Sequence, residues 1–477
     1  MSDAAEAGPT VLIMAAGQGT RMRSSLPKVL HPVCGRPMVA WPVLAARDAG
    51  AGRVAVIASP DRDLTSGLPE ATELVIQEVA DGTGGAVRAA AELIASSGSE
   101  TVVVLSGDVP LLSAEVIGAL LETHRAQRAA ATMVTAVLAD PGSYGRVVRD
   151  ETGQVARVVE TKHPEGIAAE VLAIGEINTG SYAFDAAPLL AALDALAPDE
   201  LTGEYFLPDV LPILRDRGLR IAGHIASDPA VNLGVNDRAD LAAVTLEARA
   251  RLLDAHMRAG VTVIDPGSTW VDAGVAIGAD VTLEPGCSLS GTTRIEPGAL
   301  VGPHTTLTDT WVGEGASVRH SFCDGAEIGP GATVGPFAYL RPGARLGTAA
   351  KAGTFVEIKN STIGEGAKVP HLSYVGDAEV GARANIGAGT ITANYDGYVK
   401  NRTIVGEDAR ISVHTSLVAP IAVGDRAYTG AGAVVRKDVP PDALAVSQGQ
   451  QRNIEGYASE RRERAEQSRA GNRGDER

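Results

Sequence analysis

Two hydrophobic rhythms divide this chain. In the first half, apolar runs of strand length (Val11–Met14, Val54–Ala58, Val102–Leu105 and Thr132–Val137) alternate with amphipathic stretches such as Ala86–Ile94 and Ala114–His124. Strands alternating with helices predict βαβ units and a mostly parallel sheet. Ligands on such sheets collect at the carboxyl ends of the strands, so the loops after Met14 and Leu105 are the expected site. A polar-starting stretch then predicts a linker helix over Asp237–Ala259, with Leu241, Val244, Leu252 and Leu253 as its apolar residues.

Beyond it an aliphatic residue returns every six positions: Ile277, Leu283, Leu289, Ile295, Val301 and Leu307. The period resumes at Ile328–Leu346, at Ile363–Val375 and at Val405–Val423, and glycine often follows, as in Ile277-Gly278, Ile328-Gly329 and Val423-Gly424. A six-residue period rich in glycine describes a parallel β-helix, in which three repeats close one triangular coil. Neither a helical nor an ordinary alternating-strand pattern holds this phase for so long. Two stretches, Lys368–Asp377 and Thr392–Thr403, interrupt the period and are expected to be loops. From Glu455 the chain turns Arg/Glu-rich with few large apolar residues, so residues 455–477 are expected to be disordered.

Composition narrows the chemistry. With 477 residues, 45% hydrophobic and 21% charged, the chain is globular and too long for one core. The formal charge of -16 and the 4% aromatic content argue against nucleic acid and anionic membranes. Any phosphorylated substrate must then be met by a few placed cations. Three widely separated cysteines, Cys34, Cys287 and Cys323, fit neither a disulfide framework nor a zinc site. The opening MSDAAEAGPT has no basic or apolar leader, and no apolar run reaches membrane length, so a cytoplasmic location is expected.

The segment Leu12-Ile-Met-Ala-Ala-Gly-Gln-Gly-Thr-Arg-Met22, followed by Leu26-Pro-Lys28, combines small residues with cations. Gly17 and Gly19 allow close backbone approach to a phosphate, while Arg21 and Lys28 supply charge. No third glycine opens a helix, so this is not the dinucleotide pattern. The run resembles the signature of nucleotide-sugar pyrophosphorylases. Gln77, Gly82-Thr83-Gly84, Ser106-Gly107-Asp108, Tyr144-Gly145-Arg146, Glu160, Asn178-Thr179-Gly180, Gly203-Glu204-Tyr205 and Gly234-Val235-Asn236 follow that family in order. With the hexapeptide half, nearly the whole chain resembles the bacterial bifunctional family that acetylates glucosamine 1-phosphate and uridylylates the product.

That resemblance implies an α/β fold. A Rossmann-like nucleotidyltransferase domain (residues 1–236) is joined by a linker helix (237–260) to a left-handed parallel β-helix of hexapeptide repeats (261–454). Met14, Ala15, Ala16, Gly17, Lys28, Gln77, Gly82, Thr83, Ser106, Gly107, Gly145, Glu160 and Asn178 match its nucleotide- and sugar-holding positions. Asp108 and Asn236 match its magnesium ligands, and Arg21 and Lys28 offset leaving-group charge. Read alone, Asp108 is a turn aspartate and Glu160 a solvated charge. Gly85 departs from the family, which often has histidine there, and altered packing is expected.

In the solenoid the resemblance makes His371 the general base that takes the amine proton during acetyl transfer, with Glu357 as its orienting partner. Arg341, Lys359, Tyr374, Asn385 and Lys400 match positions that hold glucosamine 1-phosphate. Ala388, Asn394, Tyr395, Val413, Ala431 and Gln448 match the acetyl-CoA side, where valine at 413 replaces a family serine and Gln448 a common arginine. The implied co-substrates are acetyl-CoA and UTP with Mg2+. The implied assembly is a homotrimer with acetyltransfer sites between subunits, feeding peptidoglycan precursors. A monofunctional pyrophosphorylase and a non-enzymatic exchange-factor subunit share the architecture. The intact Gly17–Arg21, Lys28, Asp108 and Asn236 set opposes the latter, and His371 with its neighbours the former.

Overall fold

The computed structural model describes residues 8–161, 165–200, 202–447, 449 and 451–472. These fall into two compact units, one within Met1–Ile277 and Ser288–Thr293, the other within Gly278–Cys287 and Arg294–Arg477.

In the first unit, strands run in the order Ile221–Ile225, Ala131–Val137, Glu176–Asp185, Thr101–Ser106, Thr10–Met14, Arg53–Ala58 and Glu73–Ile76. The strands Thr101–Ser106 to Glu73–Ile76 are mutually parallel. Glu176–Asp185 runs antiparallel to both of its neighbours and carries a hairpin, Arg146–Arg149 with Val155–Val159. The sheet is therefore mixed. Its central strands read as unbroken apolar runs because both faces are covered. Leu12, Ala55, Ile57, Val102 and Val104 enter one buried cluster with Val87, Leu189 and Leu211. Their alternates Val11, Ile13, Val56, Val103 and Leu105 enter another with Val43, Ile117 and Leu120. The amphipathic stretch at Ala86–Ile94 becomes two helices, Thr83–Ala89 and Ala91–Ser96, and that at Ala114–His124 extends to Gln127.

The predicted linker helix spans Arg238–Arg258. The Asp237 carboxylate caps it by accepting from the Ala239 and Asp240 amides. It is no free spacer: Val244 and Ala248 pack with Met22, Val33, Met38 and Leu111 in a third buried cluster of the first unit.

The second unit is a left-handed parallel β-helix whose short strands line up in three parallel sheets. Register repeats coil by coil, as in Leu300↔Ser317, Ser317↔Thr333 and Thr333↔Lys351. The periodic aliphatics from Leu283 to Val423 are buried, and Cys323 fills such a slot between Leu307 and Leu340. Burial pushes its thiol up to about 12 and those of Cys34 and Cys287 to about 11. All three are free and buried, as core residues are. The glycine after each inward aliphatic has a steric cause: a Cβ at Gly329 would lie 2.7 Å from the Leu346 carbonyl of the next coil, and one at Gly364 2.7 Å from the Ala382 nitrogen.

Two sequence expectations change here. Lys368–Asp377 does not leave the coil: Lys368–His371 and Tyr374–Gly376 are strands in register with Lys351–Thr354 and Glu357–Lys359. Lys368 and His371 are exposed while Val369 and Val375 keep the inward slots. Thr392–Thr403 does contain a loop, closed by a bridge between Tyr395 and Lys400. The tail is helical over Tyr457–Asn472, not disordered. Its alanines, glutamates and arginines are strong helix formers, and Arg464 lies 4.0 Å from Glu460 one turn before it. Among the described residues no helix is long and apolar enough to cross a membrane.

Candidate active sites

Three strands of the parallel part of the sheet end at Met14, Ile76 and Ser106, and the loops beyond them border a cavity of about 450 Å³. Met14, Ala15, Ala16, Gly17, Lys28, Gln77, Gly82, Thr83, Ser106, Asp108, Glu160 and Asn178, all expected from sequence, line it with Glu204 of a family-matching run, together with Tyr182, Phe206 and Pro208, which were not expected.

The polar groups are pinned. Lys28 Nζ lies 2.5 Å from Asp108 Oδ2, and the Ser106 hydroxyl donates to Asp108 Oδ1 at 2.6 Å. The Val235 amide donates to the Asp108 carbonyl, which brings Asn236 alongside. Arg21, exposed and outside the cavity lining, donates to Asn236 Oδ1 at 2.9 Å. Two hard oxygen donors thus stand together, each already facing a cation.

Glu176–Asp185 shifts register between Asn178 and Tyr182, and the buried Tyr182 hydroxyl bonds the Asn178 side chain. Gly145 also lies outside the lining, but a Cβ there would meet Glu160 Oε1 at 3.2 Å, so it makes room for that carboxylate. A Cβ at Gly107 would approach the Met14 carbonyl at 3.0 Å, a packing role. The Thr83 hydroxyl accepts from the Leu207 amide and ties two loops together. Gly19 has φ of +59°, and a Cβ there would meet that of Lys28 at 2.6 Å. Its glycine seats Lys28, whereas the Cβ position of Gly17, in the cavity lining, meets only open space.

In the solenoid, Glu357–Lys359 and Tyr374–Gly376 are adjacent strands of one sheet, with Arg341 just after the strand beyond. Arg341 donates to Glu357 Oε1 at 2.9 Å. Glu357 is thereby engaged by Arg341 in place of the expected His371, whose ring makes no hydrogen bond among the described residues. Lys400 is held below the usual lysine range, chiefly by hydrogen bonding and repulsion from Lys359, with Arg341 adding to it. Three cations therefore share one small region, as an anion site requires.

Asp377 is the anchor that sequence reasoning missed. It is 6% exposed and accepts from Asn360 at 2.6 Å, from Asn394 at 2.5 Å and from Lys359 at 3.4 Å. Burial alone would raise its carboxyl, but these partners together hold it below its ordinary value. The signal was available: Asp377 takes a left-handed corner, φ +50°, one coil after Asn360 and two after Gly343, where the repeat offers small or amide residues. The Asn394 amide is thus committed inside the protein, while Tyr395 is exposed and donates to the Gly397 carbonyl.

Along one edge the coils are threaded by amide bonds: Leu372 to the Thr354 carbonyl, Gly389 to His371, His414 to Ala388 and Gly432 to Val413. His371, Ala388, Val413 and Ala431 thus climb one column beside an exposed ladder of Phe337, Phe355 and Leu372. Asn385 lies on the neighbouring sheet, apart from the sheet that carries Lys359 and Tyr374. Gln448 lies outside the described residues.

Residues 11–173 match the model of the MobA-like NTP transferase domain. The chain is 48% identical to the bifunctional protein GlmU of Kineococcus radiotolerans, over 95% of this chain and 92% of that one. It is 49% identical to that of Thermobifida fusca (95% and 94%) and 46% to that of Mycobacterium sp. strain KMS (97% and 94%). Identity of that level across both units, over a nucleotidyltransferase cavity and a hexapeptide solenoid, means that this chain belongs to the GlmU family of bifunctional enzymes.

Proposed function

We propose that the enzyme acetylates glucosamine 1-phosphate with acetyl-CoA on the solenoid and transfers UMP from UTP to the product in the N-terminal cavity. UDP-N-acetylglucosamine, a cell-envelope precursor, and pyrophosphate result. The observation carrying this reading is the separation of two chemistries onto two units. One is a cavity in which Lys28 and Ser106 meet Asp108; the other is the solenoid face where Arg341, Lys359 and Lys400 gather.

In the cavity the sugar phosphate oxygen attacks the α-phosphorus of UTP, and the protein's task is positioning and charge neutralisation. Asp108 and Asn236 would hold magnesium, which takes one or two protein oxygens and the rest from phosphate and water. When bound, it neutralises charge on the phosphates. Lys28 already sits against the Asp108 carboxylate, as a cation does where a metal and phosphates are to meet. Arg21, fixed by Asn236, offsets charge on the departing pyrophosphate. Glu160 and Asn178 receive sugar hydroxyls, and a wrong sugar leaves them unpaired. On the solenoid, Arg341, Lys359 and Lys400 hold the sugar phosphate while the free His371 ring accepts the amine proton. The column of Ala388, Val413 and Ala431 carries the coenzyme.

The acetyl sites form between copies in a homotrimer. Supporting this, Asn385 is on a different sheet from Lys359 and Tyr374, and the Phe337–Phe355–Leu372 ladder is left exposed beside His371. Domain boundaries at 236 and 260, and a cytoplasmic location, belong to the same proposal. Incubation with glucosamine 1-phosphate, acetyl-CoA, UTP and Mg2+, following thiol and pyrophosphate separately, tests it. Release of both supports it, and release of only one overturns the bifunctional assignment.

A further inference from the structure

The Gly85 position carries more than altered packing. A Cβ placed there would lie 1.7 Å from Asp81 Oδ1, so the Asp81 carboxylate fills the space a side chain at 85 would take. The carboxylate is held from two sides. Arg88 donates to its Oδ2 at 2.8 Å, and the Arg88 guanidinium stacks 4.2 Å from the centre of the Tyr205 ring. The Tyr205 amide donates to the Asp81 carbonyl at 2.7 Å, and the Gly84 amide returns a bond to the Tyr205 carbonyl.

What this clamp holds is Gln77, which lines the cavity and is only 5% exposed. Its Nε2 donates to Asp81 Oδ1 at 2.9 Å and to the Gly82 carbonyl at 3.1 Å. Both partners are acceptors, so the amide can sit only one way round, with its nitrogen inward. Its carbonyl Oε1, which takes no hydrogen bond from the described residues, is left as the free end.

We infer that Asp81 is a positioning residue for nucleobase choice: by fixing the Gln77 amide it presents an acceptor to the base and so favours uracil over cytosine. This rests on the reading that the cavity takes UTP. Uracil offers an N3–H donor, which a carbonyl oxygen accepts. Cytosine offers a bare N3 acceptor, which the same oxygen repels. Turned over, the amide would offer NH2 and the preference would reverse. Selectivity by hydrogen bonding is strong because the wrong partner leaves a buried polar group unpaired.

Steady-state kinetics on the full chain with UTP and with CTP, plus N-acetylglucosamine 1-phosphate and Mg2+, test this through pyrophosphate release. Asp81→Leu should lower kcat/KM for UTP about tenfold, mainly through KM, without a matching loss for CTP. The UTP:CTP preference then falls by a similar factor. Asp81→Asn, which keeps an acceptor for Gln77, should hold the preference within about threefold. Gly85→Ala should mimic Asp81→Leu, and the double variant should add little, because both act through one bond. Thiol release from acetyl-CoA should stay at the parent rate and report folding of the chain. An unchanged UTP:CTP preference in Asp81→Leu overturns the inference, as does an equal loss for both nucleotides, which marks a purely structural role. A parent enzyme that releases no pyrophosphate from UTP defeats the functional reading instead.

Discussion

In the N-terminal unit the chemistry-bearing side chains converge on a cavity of about 450 Å³, each held by a neighbour in the same unit. In the solenoid they spread over an outward surface, where His371, Tyr395, Lys400 and Val413 are exposed. The difference follows from the two architectures. A doubly covered sheet ends its parallel strands beside one another, so the loops after Met14, Ile76 and Ser106 enclose a space by themselves. A hexapeptide coil spends its inward positions on core and leaves flat outer faces. Concavity there needs a second surface. One unit carries a site lined by its own loops, and the other carries an open face that the proposed trimer would complete with a neighbouring copy.

That contrast can be attacked at several points. The largest effect is expected for His371→Ala, which removes the proposed proton acceptor. Thiol release should fall by roughly a hundredfold or more while pyrophosphate release persists. Next, Phe355→Asp with Leu372→Asp places charge on the exposed ladder. Light scattering should show the trimer replaced by monomer, with acetyl transfer lost and uridylyl transfer kept. A monomeric parent that still acetylates would remove the need for a second surface.

A smaller effect concerns acid stability of the solenoid. Asp377 titrates below its ordinary value in the fold, so its contribution is present above that ordinary value, about 3.9, and is lost as pH falls through the folded one. Asp377→Asn should make solenoid unfolding less dependent on pH in the acid range, read by melting between about pH 2 and pH 5. An unaltered slope would deny Asp377 that role. The smallest effect belongs to Val413→Ser. A restored hydroxyl should lower KM for acetyl-CoA by about two- to tenfold and leave turnover and uridylyl transfer unchanged. No change in KM would show that Ser412 or His414 already supplies the contact.

Much of this was legible in the sequence. The six-residue period from Leu283 to Val423 marked the buried positions because a coil admits only one inward residue per face. The signature around Gly17, Lys28 and Asp108 marked the cavity because strand ends and cations stood in the right order. What was not legible depended on partners far apart in sequence. The antiparallel course of Glu176–Asp185 is set by its neighbours, not by its own pattern. Asp377 drew no notice because the amides that pair with it, Asn360 and Asn394, lie on adjacent coils, and in sequence only its corner position marked it. Lys368–Asp377 read as a loop because outward polar residues obscured the inward Val369 and Val375. The tail read as disordered because local helix propensity without an apolar face leaves little mark in a hydrophobic pattern.

The central claim is that one chain holds two independent sites, and Asp108→Ala tests it most directly. With glucosamine 1-phosphate, acetyl-CoA, UTP and Mg2+ in one vessel, pyrophosphate and free thiol are followed side by side. The account predicts that pyrophosphate release falls by at least about a hundredfold while thiol release stays near the parent rate and N-acetylglucosamine 1-phosphate accumulates. Loss of both signals in a folded protein, or pyrophosphate release undiminished, would contradict it.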